Sequence, residues 1–407
     1  VVGGGGPAGL LSAIMLARQL PNLTPTDADG SGGGCGPRIA VYDRLPPPPP
    51  PDDAAYSADV SKYYLLGLGH RGQRALKYFD AWDDVEAASV EVLGRRDWAP
   101  GKSGEEDSNV NMSNKAVTSR ILARDKLVGV LKRLIERRYG DVVELNYGYQ
   151  VDPISFGNEG GTIDESGVEG NGLPVLLRVS RCIPIGTTSG DDDEAEECSV
   201  ESADAIPTIV STNFLIGSDG AARTIANAME ANDLKVHESL KSIHPLKRLI
   251  GKSSRFRVKR YEDDNPRAYK SVPIKFPPHW PHDLNYSARS RESRVTFEAL
   301  PSDAEGNYCA LLLLRPDDEL ASANCDPKVL RTYLDEEFPQ FSKFLGDDVV
   351  ADVARKGASA LPSFRYAGPR LHEGGRTVLL GDCVHTVKPY FGLGANTALE
   401  DVVILSE

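Results

Sequence analysis

Apolar and polar blocks alternate along the chain and predict helices and strands in turn. The sequence begins with Val1 and Val2, patterned as the end of a strand, and the helix-forming segment Leu10–Leu20 follows. Apolar positions in Arg124–Tyr139 recur at the spacing of an amphipathic helix. Further patterns indicate strands at 38–42, Thr208–Ile216 and Arg376–Leu380 and a helix at 394–405. This alternation predicts a βαβ layer of the Rossmann type.

The pattern changes between residues 250 and 315, where short alternating strands replace the helices. Arg294–Leu300 and Tyr308–Leu314 are separated by turn-forming residues at Asp303–Asn307, which indicates a hairpin. The predicted fold class is therefore α/β, a Rossmann-like layer with an inserted, mostly antiparallel β-sheet domain. We expect residues 1–225 and 366–407 to form the layer and residues 226–365 to form the inserted domain.

Three segments interrupt the foldable pattern. Residues 21–37 and 46–53 are rich in Gly, Pro and Asp, and about 156–203 is Gly-rich and then acidic around Asp191–Glu194. We interpret all three as flexible or polyproline-type surface insertions, with a strand at Val175–Val179 inside the third. The alternative is a site for a partner that recognises charge.

The two ends of the chain are unlike the ends of a whole protein. The sequence begins with Val1 and not with Met, and it stops at Glu407 inside a segment patterned as a helix. We expect a piece of a longer protein, truncated at both ends, so that the compartment does not follow from the residues present.

Composition narrows the classes of function. The chain has 407 residues, 46 basic against 59 acidic, and a net charge of −13, which disfavours a nucleic-acid-backbone binder. Its six cysteines and seven histidines lack metal-ligand spacing, so we expect no metal and favour a reducing compartment. No apolar run is long enough to span a membrane. We expect a small-molecule partner; the oligomeric state stays open.

A glycine-rich turn follows the first strand and leads into the first helix. Gly4, Gly6 and Gly9 form the pattern G-x-G-x-x-G, in which glycines permit a tight turn, close approach of a diphosphate and close helix packing. Asp43 closes the next strand and would accept hydrogen bonds from an adenosine ribose. It lies 34 residues after Gly9, a long interval that the insertion 21–37 explains. A glycine turn without a ligand and a surface Asp are the alternatives.

Later segments add two strand ends and a glycine-rich helix start. One strand ends at Asp219-Gly220, and another ends at Gly381-Asp382, where a carboxylate could bond a ribityl hydroxyl. Pro389–Asn396 then leads into a helix. The positive end of its dipole suits a flat ring ligand, one edge of which gains negative charge when the ligand is reduced.

In this order, the segments resemble the single-component FAD-dependent aromatic hydroxylases with the p-hydroxybenzoate hydroxylase fold, especially the kynurenine 3-monooxygenase-like members. Leu66–Leu76 and Ala123–Leu127 add to the resemblance, which covers nearly the whole chain. It implies FAD as cofactor, NADPH as transient co-substrate, and insertion of one oxygen atom of O₂ into an aromatic or other electron-rich substrate through a flavin C4a-hydroperoxide. No side-chain catalyst is needed, because the flavin carries the chemistry.

The resemblance also assigns residues to the cofactor. The expected FAD contacts are Gly4, Gly6, Ala8, Gly9, Asp43, Arg44, Gly67, Arg124, Val151, Asp219, Asp382, Gly392, Gly394, Ala395 and Asn396. Pro389, Phe391 and Gly392 are expected near the ring. A solvated helix-start residue is the alternative for Arg124, and Asp219 is expected to support the turn on the diphosphate side. We interpret His385 as a packing residue and not as a base.

Substrate identity is where the chain departs from the family. Kynurenine hydroxylases resemble one another in an Arg and a Tyr that clamp a carboxylate, and the best alignment places that Arg at Gly94 and finds no Tyr. Arg95 is a candidate substitute, with a solvated charged turn as the alternative. We therefore favour another aromatic or apolar substrate beneath the strands 294–300 and 308–314. The rival functions are an FAD-dependent epoxidase or reductase of an isoprenoid and a flavin-free binding protein similar to GDP-dissociation inhibitors.

Overall fold

The architecture is taken from a computed structural model of the chain. The structure describes residues 1–23, 39–157, 173–184, 198–200, 207–243, 255–292, 294–389 and 392–407. Most of the predicted insertions 21–37 and 156–203 lie outside these described residues, as does Phe391.

The first layer is a six-stranded sheet whose strands come from the N-terminal, middle and C-terminal parts of the chain. In spatial order its strands are His372–Glu373, Thr377–Leu379, Leu215–Gly217, Val2–Gly3, Ile39–Asp43 and Val143–Tyr147. Neighbours are parallel except at the His372–Glu373 edge. The helices that pack around this sheet are Pro7–Leu23, His70–Tyr78, Trp82–Ala87, Arg124–Tyr139 and Leu393–Ser406. The predicted α/β class is confirmed.

The first helix is buried because nearly every side it presents is apolar. Leu10, Leu11, Ala13 and Ile14 are all fully buried, and they share one core with the helices Arg124–Tyr139 and Leu393–Ser406. A helix that is apolar all round is stable only when neighbours cover it. The N-terminal and C-terminal parts of the chain are therefore held together by this core.

The second layer is a seven-stranded, mostly antiparallel sheet. In spatial order its strands are Ser359–Ala360, Ala268–Lys275, Asn307–Leu314, Thr296–Pro301, Leu284–Arg289, Gly94–Trp98 and Ser108–Met112. Trp98, Tyr286, Phe297 and other apolar residues of one face pack against helices. These helices are Pro327–Glu337, Pro339–Ser342 and Asp347–Arg355. The opposite face carries more polar residues.

Two strands of this second sheet come from an unexpected part of the chain. Gly94–Trp98 pairs in parallel with Leu284–Arg289, and Ser108–Met112 extends the sheet by one more strand. The domain boundaries predicted from the sequence assign residues 1–225 to the Rossmann-like layer. The inserted sheet is therefore larger than the predicted domain boundaries imply. The local hydrophobic pattern could not show this, because it carries no information about long-range strand pairing.

Smaller sheets and helices complete the described chain. A four-stranded sheet contains Tyr149–Ser155, Val175–Pro184, Cys198–Val200 and Thr208–Thr212. One three-stranded sheet contains Arg257–Arg260, Arg365–Gly368 and His385–Thr386, and another contains Leu65–Leu68, Ser119–Ala123 and Val90–Val92. Two further helices are Ala55–Ala58 and Thr224–Ile243. Short 3₁₀ turns occur at Val60–Lys62, Glu105–Asp107, Gly220–Ala222, Glu319–Ala321 and Gly381–Cys383.

The single strand predicted at Thr208–Ile216 is wrong. It is two strands in two different sheets: Thr208–Thr212 pairs antiparallel with Val175–Pro184, and Leu215–Gly217 joins the parallel sheet. Ile209 is 54% exposed whereas Leu215 is fully buried. The pattern predicted one buried strand because β-branched composition does not reveal a change of sheet.

Candidate FAD site

A cleft of about 1560 Å³ is lined by residues of both large sheets. The structure brings most of the predicted cofactor residues together on its wall: Gly4, Gly6, Ala8, Asp43, Arg44, Gly67, Arg124, Val151, Asp219, Asp382, Pro389, Gly392, Gly394, Ala395 and Asn396. Gly9 does not line the cleft, because it is buried behind the opening turn. The opening turn and the closing helix Leu393–Ser406 therefore border the same space.

The opening turn requires glycine for different reasons at different positions. Gly4 has φ +108°, and a Cβ there would lie 2.3 Å from the carbonyl oxygen of Ser218. A Cβ on Gly9 would lie 1.8 Å from the carbonyl oxygen of Gly4. At Gly6 a Cβ would meet only Nη2 of Arg124, at 3.7 Å. Gly4 and Gly9 thus permit tight backbone packing, whereas Gly6 leaves room for a ligand.

Asp43 lies at the end of its strand, beside the opening turn. Its Oδ2 accepts a hydrogen bond from the Gly5 backbone N–H at 2.6 Å, and its Oδ1 accepts one from the Leu45 N–H at 2.8 Å. Each carboxylate oxygen can accept a further hydrogen bond. The carboxylate is thus held in place on the cleft wall with capacity left for hydroxyl donors.

Arg124 is the first residue of the helix Arg124–Tyr139. Its backbone N–H donates to the Tyr64 carbonyl at 2.8 Å, and its guanidinium pairs with Asp125 at 3.0 Å. The side chain is partly exposed and reaches the space in front of Gly6. This placement puts a positive charge over the first helix's N-terminus, where anions are favoured.

Asp382 belongs to a short turn after the strand Thr377–Leu379. Within the described residues its carboxylate accepts no hydrogen bond, and it faces the cleft. Burial raises the pKa of the Asp382 carboxyl, while the charges of His385, Arg223 and Arg124 oppose the rise. A carboxylate that lines a cleft with unused hydrogen-bond acceptors fits a ligand that brings hydroxyl donors.

Arg223, which the sequence analysis did not single out, anchors this turn from below. It is 2% exposed and has a left-handed backbone with φ +54°. Its Nη2 donates to the Asp382 carbonyl at 2.5 Å and also to Thr386 Oγ1. The sequence offered one signal, a basic residue shortly after the Asp219-Gly220 turn. Only the fold shows which groups the Arg223 guanidinium contacts.

Asp219 lies on the same side, before the helix Thr224–Ile243. Its Oδ2 accepts a hydrogen bond from the Ile225 N–H at 3.0 Å and caps the helix. Its buried Oδ1 has no partner within the part of the chain that the structure describes. Burial raises the pKa of the Asp219 carboxyl to about 6, against the effect of the backbone hydrogen bonds. The residue supports the turn, as its position after a strand suggests.

The closing helix begins at a left-handed glycine. Gly392 has φ +58° and precedes the helix Leu393–Ser406. Asn396, 5% exposed, donates to the carbonyls of Gly67 and Gly392 at 2.7 and 2.5 Å. Its Oδ1 accepts from the N–H groups of Gly69 and Gly72 at 2.8 and 3.2 Å. The amide lines the cleft, but its hydrogen-bonding capacity is used to join two helices.

His385 pairs with a carboxylate and not with the open cleft. Its Nε2 lies 2.7 Å from Asp401 Oδ2, which also accepts a hydrogen bond from the Gly381 N–H. Burial opposes a charge on His385, but the hydrogen bond and charge of Asp401 outweigh it and raise the pKa of the imidazole. This pair ties the Asp382 turn to the closing helix.

The seven-stranded sheet forms the opposite wall, and its exposed face becomes polar toward one end. Leu300, Leu311 and Leu313 line one part of the cleft. Arg95 and Glu298 line another, and Arg95 Nη2 lies 2.7 Å from Asp97 and 3.7 Å from Glu298. Burial raises the pKa of the Glu298 carboxyl, and Arg95 opposes the rise. Glu298 was missed because its strand pattern alone does not show which face meets the cleft.

The described residues offer little for other kinds of site. They contain no cluster of His, Cys, Asp and Glu that could hold a metal ion. Cys309, Cys325 and Cys383 are free thiols. In those same ranges, each helix is too short or too polar to cross a membrane.

Comparisons with known proteins point to the same chemistry as this geometry. A family model described as an FAD binding domain matches residues 326–407. A kynurenine 3-monooxygenase of Myxococcus xanthus is 32% identical over 142 residues, which are 34% of this chain and 30% of that protein. Another kynurenine 3-monooxygenase, from Salinispora tropica, is 23% identical over 420 residues, which cover 100% of this chain and 71% of that protein.

Solved structures share the fold at low sequence identity. A 2-methyl-3-hydroxypyridine-5-carboxylic acid oxygenase matches with a TM-score of 0.59 and 16% identity, covering 100% of this chain and 80% of that one. The p-nitrophenol 4-monooxygenase PnpA of Pseudomonas putida matches with a TM-score of 0.58 and 14% identity, covering 100% and 78%. The chain has the fold of these two oxygenases, and the part of it that borders the cleft at the closing helix lies in the region that matches an FAD binding domain. Residues 326–407 thus resemble an FAD binding domain, and the chain as a whole is similar to kynurenine 3-monooxygenases.

Proposed function

We propose that this protein is an FAD-dependent monooxygenase that consumes NADPH and inserts one atom of O₂ into an aromatic or other electron-rich small molecule. The observation that carries the proposal is a single cleft bordered by the opening turn, the Asp382 turn, the closing helix and the inserted sheet. Its volume of about 1560 Å³ exceeds the roughly 300–1,000 Å³ of an ordinary small-molecule pocket. It therefore has room for a dinucleotide and a second small molecule.

The residues present fit FAD. A Cβ on Gly67 would meet no atom within 4 Å, and one on Gly394 would come no nearer than 3.8 Å to Asp382. Backbone is thus open to the cleft at both positions, as close approach of a flat ring requires. The carboxylate of Asp382, which accepts no hydrogen bond from the described residues, and the half-used carboxylate of Asp43 supply acceptors for hydroxyl groups.

Each part of the chain has a separate task in this proposal. Asp43 binds the ribose of the adenosine, and the N–H groups of the opening turn and the charge of Arg124 bind the diphosphate. Asp382 binds the ribityl chain, and Arg223 holds Asp382 in position through its backbone carbonyl. The N-terminus of the closing helix directs its dipole toward the ring. When bound, FAD would supply the redox chemistry that couples NADPH oxidation to O₂ activation.

The inserted sheet has the task of holding the substrate and excluding water. Its leucines at positions 300, 311 and 313 provide an apolar surface for an aromatic ring. Arg95 is a candidate for a polar group of the substrate, although Asp97 and Glu298 already neutralise its guanidinium. A substrate carboxylate would compete with both, which favours a neutral substrate at this position.

Flavin binding is the first test. The purified protein is expected to show the absorption bands of noncovalent FAD, and Asp382→Ala is expected to lose most of the flavin. Arg315→Ala is the matched control, because this exposed residue pairs only with Asp317, outside the cleft. A colourless wild-type protein after incubation with excess FAD, or full flavin content in Asp382→Ala, would contradict the assignment.

Activity is the second test, and it separates monooxygenation from the rival functions. NADPH oxidation and O₂ consumption are expected to rise together when an aromatic compound is added, and the product should carry one oxygen atom from labelled O₂. NADPH oxidation without O₂ incorporation would point to a reductase, and the proposal would then be wrong.

A further inference from the structure

Residues 46–51 are six consecutive prolines that the cleft does not use. The wall of the cleft includes Leu45 and next resumes at Ser61. The proline ring fixes φ, and a residue before proline is driven away from helical geometry. Residues 46–50, each followed by a proline, are therefore restricted to the geometry of a polyproline II helix, which has three residues per turn and no internal hydrogen bonds. Pro51 begins the turn that follows.

Burial along the run follows this period of three on two of its three edges; on the third edge Pro46 is exposed and Pro49 is half-buried. Pro47 and Pro50 are both exposed, whereas Pro48 is half-buried and Pro51 is buried. Residues three apart share one edge of such a helix. One edge, formed by Pro48 and Pro51, thus faces the protein, and another, formed by Pro47 and Pro50, faces solvent. We call Pro47 and Pro50 the outer ridge.

Contacts on the inner side hold the run in place. The Tyr56 hydroxyl donates to the Pro49 carbonyl at 3.2 Å, and the Asp53 N–H donates to the Pro50 carbonyl at 2.9 Å. A Cβ at Gly129 would lie 2.9 Å from the Pro49 oxygen, so the helix Arg124–Tyr139 approaches the run closely there. An anchored helix of this kind loses little further conformational entropy when it binds.

The charge next to the run defines the partner further. Asp52 and Asp53 follow the last proline directly and are exposed. Asp52 pairs with Arg133, but its side chain is 75% exposed. The whole chain carries a net charge of −13. A partner that approaches the outer ridge therefore meets apolar rings flanked by negative charge.

We propose that the outer ridge is a docking site for a partner protein whose proline-recognition domain has an aromatic-lined groove with a basic rim. The PxxP spacing of Pro47 and Pro50 matches the way such grooves read a polyproline II helix. The basic rim complements Asp52 and Asp53. This interaction is separate from the cleft and does not depend on the flavin chemistry.

The test measures binding of the purified full chain to a panel of isolated WW and SH3 domains with basic groove rims, by calorimetry. At least one domain is expected to bind, and Pro47→Ala combined with Pro50→Ala should weaken that binding at least tenfold, about 1.4 kcal/mol. Added salt should weaken it as well. The control is Pro316→Ala, which changes another exposed proline followed by two aspartates, Asp317 and Asp318, and it should bind like the wild type.

Two results would overturn the proposal: no binding by any domain of the panel, or equal binding by the outer-ridge variant and the wild type. Melting temperature and far-UV circular dichroism report whether the variant is folded. If it is not, a synthetic peptide of residues 44–53 decides by competition. The peptide must displace the full chain from the domain, and its double-alanine version must not; any other result counts against the proposal.

Discussion

Asn396 offers the sharpest test of how this site is assembled. The helix His70–Tyr78 begins after Gly69, which has no side chain to cap it. The first N–H groups of a helix lack partners within the helix. Asn396 Oδ1 provides the cap from the closing helix, since it accepts hydrogen bonds from the N–H groups of Gly69 and Gly72. One side chain thus joins two helices that are far apart in sequence.

The expected loss of unfolding free energy follows from the number of hydrogen bonds that Asn396 makes. Asn396 makes four hydrogen bonds to backbone groups, and each contributes about 0.5–1.5 kcal/mol net. Replacing Asn396 by Ala therefore lowers the free energy of unfolding by about 2–6 kcal/mol. The Gly67 and Gly392 carbonyls lose their donor in the same step, so flavin affinity is expected to fall too.

The assay compares two alanine variants of adjacent residues. Thr397 lies on the same helix and is half-buried, and among the described residues its hydroxyl donates to the Leu393 carbonyl of its own helix. Urea unfolding followed by circular dichroism, with flavin fluorescence as a second signal, is expected to show a large loss for Asn396→Ala and almost none for Thr397→Ala. Equal unfolding free energies for the two variants would refute the capping role.

Three further predictions concern the turn, the buried acid and the opposite wall. Gly4→Ala is expected to destabilise the protein and abolish flavin binding because its Cβ would strike the Ser218 carbonyl, whereas Gly67→Ala should remain folded; both are checked by melting and flavin content. With its pKa raised from 3.8 to about 6, Asp219 binds more protons in the folded state between these values. Stability therefore falls as the pH rises through that window, and Asp219→Asn should remove this dependence in urea titrations at several pH values. Arg95→Gln is expected to change KM for the substrate while flavin content stays constant; an unchanged KM would exclude the residue from the substrate site.

Many residues on the predicted FAD-binding wall of the cleft could be found from the sequence, because the motifs that indicate them are local. A glycine turn between a strand and a helix, and an acidic residue at the end of a strand, each depend on a few adjacent residues. Gly4, Asp43 and Asp382 are of this kind, and the structure places all three on one cleft. Whether each contacts FAD as expected stays a prediction.

Other features were out of reach because they depend on distant partners. Arg223 acts on a turn that lies 159 residues away in sequence. The strand Gly94–Trp98 joins a sheet whose next strand is Leu284–Arg289. Hydrophobic pattern encodes which side of an element is buried, but it does not encode the element that covers it.

By itself, the sequence determined the first strand and helix, the dinucleotide-type turns and the acidic balance of the chain, since these follow from neighbouring residues. Only the tertiary structure decided that Asn396 caps another helix, that Arg95 is already paired, and that one ridge of the proline run faces solvent. The reason is physical: a side chain's hydrogen-bonding capacity and exposure are set by whatever packs against it, and most of those neighbours come from remote parts of the chain.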